Sequence, residues 1–92
     1  LTAVEVLTVR RVDKGTLRAV ARVRLAGCIE IAGVRVLQQV GGDPWVAFPQ
    51  VPARRRADGG GSGWSRIVEV VEPTVAVELR EAVLAAWQAA PR

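Results

Sequence analysis

Between Thr16 and Leu25 the chain alternates so regularly that it demands an extended backbone. Leu17, Ala19, Ala21, Val23 and Leu25 fall on one side, and Arg18, Val20, Arg22 and Arg24 on the other. A period of two sends successive side chains to opposite faces, so this is a strand with one face on a core and a basic stripe on the other. The stripe also suits an ordinary solvated sheet face. Turn signals bracket the strand: Asp13-Lys14-Gly15 before it, with Gly15 free to take positive φ, and Ala26-Gly27 after it. Turns that short join antiparallel neighbours.

The neighbours are legible on both sides. Val4 to Val12 is rich in β-branched residues and reads as the first strand, and Cys28 to Leu37 as the third. In the third strand Ile29, Ile31 and Leu37 share a face with Arg35, while Ala32, Val34 and Val36 share the other with Glu30. Neither face is plainly polar, which predicts cover on both sides. Gly33 inside the strand marks a bulge or a close backbone approach. Gly41-Gly42-Asp43-Pro44 makes another turn, Trp45 to Phe48 a short fourth strand, and Trp64 to Val71 a fifth.

A helix ends the chain. Pro73 suits a first helical turn, and from Thr74 to about Ala90 the apolar period is helical. Val75, Leu79, Ala82, Val83, Ala86 and Trp87 form a broad face. Val77 and Leu84 form a narrow line opposite, which is either two ordinary surface hydrophobics or a subunit contact. The fold class that follows is α+β: a small antiparallel sheet of about five strands with one C-terminal helix, all in a single domain over residues 1–92.

Ninety-two residues make a marginal core, and the few aromatics (Trp45, Trp64, Trp87 and Phe48) leave it to smaller side chains. A homodimer is therefore expected. Thirteen basic residues against nine acidic ones give a charge of +4, which suits a polyanionic partner. The chain has no histidine, and its one cysteine, Cys28, excludes an internal disulfide and a thiol–imidazole pair. Lying in an apolar strand, Cys28 reads as a buried small hydrophobe. Glu78 and Glu81 read as a solvated helix face. Gly59-Gly60-Gly61-Ser62-Gly63 lacks the lysine and the following helix of a phosphate loop. No catalytic constellation, cofactor, metal site or small-molecule substrate is expected. No apolar run approaches the roughly 18 residues of a membrane span, so the expected location is the cytoplasm.

Between the fourth and fifth strands lies Pro49 to Gly63, a basic and glycine-rich loop holding Arg54, Arg55 and Arg56, with Arg66 at its base. Guanidinium groups can bridge phosphate oxygens, and the glycines let such a loop follow a nucleic-acid backbone.

Five segments, in order, carry a resemblance. Val9-Arg10-Arg11-Val12 resembles V-R-L-R-R-V, Gly15 to Ala21 resembles G-x-x-R-A-x-A, and Gly33 to Leu37 resembles D-I-R-V-I. Trp45 to Pro49 resembles F-V-A-M-P, and Glu81 to Leu84 resembles D-A-V-L. These are segments of the stage V sporulation protein G family, the septation regulators that bind DNA and RNA, and the resemblance spans Val6 to Trp87. It implies an intertwined or strand-paired homodimer, nucleic-acid binding without enzyme activity, and a role in gene regulation around cell division or sporulation. It departs at the loop, where the glycine run has no counterpart and Arg66 falls one place from the family's R-D pair. The alternative from a different class is a protein–protein adaptor using a sheet edge or the Val77 and Leu84 line.

Overall fold

A computed structural model describes residues 4–52 and 64–91. The chain runs β1 (Val4–Lys14), β2 (Leu17–Leu25), β3 (Ile29–Leu37), β4 (Trp45–Ala47), β5 (Gln50–Pro52), β6 (Trp64–Arg66) and α1 (Pro73–Ala89). The first four strands form one antiparallel meander in the order β1-β2-β3-β4, as their short turns require. At the β2–β3 turn Ala26 and Gly27 both take positive φ, and the Cys28 N–H donates to the Leu25 carbonyl at 3.0 Å. That backbone twist matches the twist of the flanking strands.

Helix α1 lies on one face of this sheet. Pro73 opens it, and Glu72 caps it by accepting from the Thr74 N–H at 3.0 Å. Leu79 and Val83 are fully buried against Ala19, Ala21, Val23, Ile31, Val34 and Val36. Val75, Ala82 and Trp87 pack around them, as the helical period predicts. Leu84 packs there too, so the expected outward line reduces to Val77 alone. A core-facing arc wide enough to take Ala82, Val83 and Leu84 accounts for the difference.

Three further departures come from register shifts between β2 and β3. The β2–β3 register passes from Ala21 opposite Val34 to Val23 opposite Ile31, so β3 carries an extra residue there, and Gly33 takes φ 79°. The extra residue puts Ile31, Val34 and Val36 on the same inner face, where strict alternation would split them. The β3 outer face is therefore open, with Glu30 and Ala32 exposed. A second shift, between Leu17 and Ala19, pairs Leu17 with Leu37 on the outer face. It turns Arg18 to the helix side, out of the basic stripe.

Two strand limits also change. Cys28 is exposed in the turn and not buried in a strand, because β3 begins one residue later. The fifth strand, expected over Trp64 to Val71, is confined to Trp64–Arg66 and pairs with Gln50–Pro52 in a separate two-stranded ladder. The last bond of that ladder region runs from the Ile67 N–H to the Pro49 carbonyl at 3.1 Å. Val68 and Val70 then pack against the core without a strand partner among the described residues.

Candidate nucleic-acid interface

With α1 on one side, the meander presents its other side uncovered by any described element. Register places the side chains there. Arg10 pairs with Val20, which pairs with Arg35, which pairs with Ala47. Thr8 pairs with Arg22, and Glu5 with Arg24, which pairs in turn with Glu30. Trp45 lies opposite Leu37 and two residues from Ala47, so its indole belongs to this face, and it is 41% exposed. A shallow groove of about 420 Å³ crosses the middle, lined by Thr8, Arg10, Val20, Arg22, Ala32 and Gly33.

The four arginines of this face are not equivalent. Arg24 donates to Glu30 at 2.8 Å, and Arg22 lies 3.8 Å from the same carboxylate. The hydrogen bond from Arg24 holds the Glu30 carboxyl below its usual range, and the same bond raises Arg24. Both side chains are solvent-exposed, so water screens the pair and it does little to fix either arginine. Arg10 and Arg35 have no ion-pair partner among the described residues. They stand on either side of Val20, with the exposed Trp45 beyond Arg35.

The arrangement has a chemical meaning. Unpaired guanidinium groups offer forked donors to phosphate oxygens, and an exposed indole offers a surface for a base to stack on. An apolar floor between them costs nothing to cover with sugar and base.

Of the residues singled out in the sequence, Arg54, Arg55 and Arg56 lie outside the described residues. Arg66 is placed by its backbone at the root of the β5–β6 ladder, opposite Gln50 and three residues from the loop that the ladder closes. The Arg18, Arg22 and Arg24 stripe survives only as Arg22 and Arg24. The sequence pattern alone does not bring Arg10, Arg35 and Trp45 together as a set. Their common face depends on the Gly33 bulge, whose glycine was visible but whose consequence for the side of Arg35 was not.

No protein-family model matches the chain, and no curated protein matches it either. Among the described residues no helix is long and apolar enough to cross a membrane.

Proposed function

We propose that the chain is a non-enzymatic nucleic-acid-binding regulator that works as a homodimer, in keeping with its resemblance to the stage V sporulation protein G family. The observation that carries the reading is the outer sheet face, where Arg10 and Arg35 have no ion-pair partner among the described residues and stand beside an exposed Trp45. The Arg54–Arg56 loop adds a second basic element. Contacts of this kind are made to the backbone and to base faces, so affinity exceeds sequence preference.

Dimerisation has its own support. β4 pairs only with Arg35 to Leu37, so the first half of β3, Ile29 to Gly33, has no ladder partner on that side among the described residues. A mainly apolar groove of about 560 Å³ lies along it, lined by Ile29, Ile31, Ile67 and Val68 with Glu30 and Glu69 also on its walls. An open apolar edge is a template for another strand.

The test separates the two basic elements. Mobility-shift titrations at several salt concentrations compare the parent with Arg10→Glu/Arg35→Glu and with Arg54→Glu/Arg55→Glu/Arg56→Glu. Each lost phosphate contact lowers the salt slope by about 0.9 on duplex DNA or about 0.7 on single strands. Both variants are expected to bind more weakly with shallower slopes. An unchanged slope in both sinks the reading, and an unchanged slope in one removes that element from it.

A further inference from the structure

A second cleft lies on the helix side of the sheet, at the end where the β1–β2 hairpin meets the end of α1. It measures about 730 Å³ and is lined by Arg11, Asp13, Arg18, Gln38, Trp87 and Gln88. Two of its donors are already used. Arg11 donates through Nη2 to the Trp87 carbonyl at 2.9 Å and through Nε to the Ala90 carbonyl at 3.3 Å. Gln38 donates through Nε2 to the Gly42 carbonyl at 2.9 Å.

Two further donors on its lining residues have no acceptor among the described residues. Arg18 Nε and Trp87 Nε1 are both shielded from solvent and make no hydrogen bond. Shielded polar groups in folded proteins are overwhelmingly paired, and an unpaired one costs about 1–3 kcal/mol, more when it is charged. Both belong to residues that line the cleft, and Arg18 makes no ion pair among the described residues, so its guanidinium is the group there left to take a ligand. The register shift at Arg18 brings its side chain to the helix side of the sheet, where it lines the cleft with Trp87, whose indole N–H offers it no acceptor.

What the groups lack defines the ligand. An indole N–H and a guanidinium are donors only, so the partner must be an acceptor. Arg18 and Arg11 against the single carboxylate of Asp13 leave the lining positive, so the acceptor is best negatively charged. We infer that this cleft binds a small oxyanion, a phosphate or carboxylate group, held by the Arg18 guanidinium beside Trp87 and seated between the β1–β2 hairpin and the end of α1. The cleft is separate from the outer sheet face, and its occupancy does not depend on nucleic-acid binding.

The same shielding makes the test direct, because protected N–H protons are observable by NMR. The Trp87 indole signal is assigned by its loss in Trp87→Phe, and the Arg18 Nε–H signal by its loss in Arg18→Lys. Inorganic phosphate and acetate are titrated separately, with chloride at matched ionic strength as control. The expected result is a saturable shift of both signals with phosphate, acetate or both, and none with chloride. The arm that saturates at lower concentration tells phosphate ligands from carboxylates. In Arg18→Gln the Trp87 shift is lost while the Trp45 and Trp64 indole signals stay in place. Arg10→Glu/Arg35→Glu retains it. No shift beyond the chloride control overturns the inference, as does a Trp87 shift that persists undiminished in Arg18→Lys, which keeps the charge but not the fork.

Discussion

Arg11 does a job that the helix sequence leaves undone. The last turn of α1 carries no basic residue, so its carbonyls and the negative end of its dipole lack a local cation. Arg11 supplies one from β1, bonding the Trp87 and Ala90 carbonyls while its guanidinium lies 5.4 Å from the centre of the Trp87 ring. Charge-assisted bonds of this kind contribute about 1.5–3 kcal/mol in favourable settings, and this one is only partly buried. Arg11→Ala is therefore expected to cost about 1–2 kcal/mol in denaturant unfolding, at the lower end of that range. Arg11→Lys should recover only part, since one ammonium cannot reproduce the fork. A stability equal to the parent in Arg11→Ala contradicts the cap. Glu30 gives the contrasting case. Its carboxyl is depressed by Arg24, so its contribution is present above the unfolded carboxylate range and is lost as pH falls through the lower folded value. The melting difference between Glu30→Gln and the parent should close on acidification and shrink with added salt. A difference that persists below that range assigns the effect to something other than the ion pair.

At the scale of elements, bulges decide what each strand presents. Gly33 takes φ 79°, a conformation that costs residues with a Cβ roughly 1–2 kcal/mol. Space is not the constraint, for an added Cβ would meet Pro49 Cγ at an ordinary 3.8 Å. Gly33→Ala should therefore destabilise by about 1–2 kcal/mol through the backbone alone. Urea unfolding measures it, and a neutral result would mean the bulge can relax. This is also where the sequence stopped being readable. The meander, its turns and the buried stripe of α1 follow from periods of two and 3.6 that are local and survive in the fold. A bulge shifts the period by one, and only its glycine shows in the sequence. So strict alternation gives Arg35 the face of Ile31, keeps Arg18 in a stripe it does not join, and implies cover for the unpaired half of β3. Arg22 and Arg24, on a stretch of β2 that keeps its alternation, were placed correctly on the outer face. The basic triplet at Arg54 was conspicuous because it is contiguous, whereas Arg10 and Arg35 come together only through two registers.

At the scale of the whole molecule, β1 and the open half of β3 differ in a way that bears on the proposed dimer contact. β1 is interrupted by register shifts after Val6 and after Arg11, and carries Glu5, Arg10, Arg11 and Lys14. Bulges and charges of this kind discourage edge-to-edge pairing. The open half of β3 carries one charge, Glu30, and has no strand paired to its edge among the described residues, while its Ile29 is 56% exposed and Ile67 59%. The radius of gyration, 14.5 Å, also exceeds the roughly 12 Å of a compact chain of this length. Antiparallel pairing of two β3 edges would create a two-fold axis perpendicular to the sheet and leave both helices on one side. Both outer faces would then lie on the other side, and Arg10, Arg35 and Trp45 of each copy would form one continuous surface. Ile67→Glu is thus expected to convert a dimer into a monomer by light scattering. Because it leaves each protomer's basic face intact, it should weaken nucleic-acid binding through loss of the linked second site. A parent that is monomeric at micromolar concentration rules out this dimer. An Ile67→Glu variant that stays dimeric places the contact elsewhere, with the Val77 side of α1 the next surface to examine.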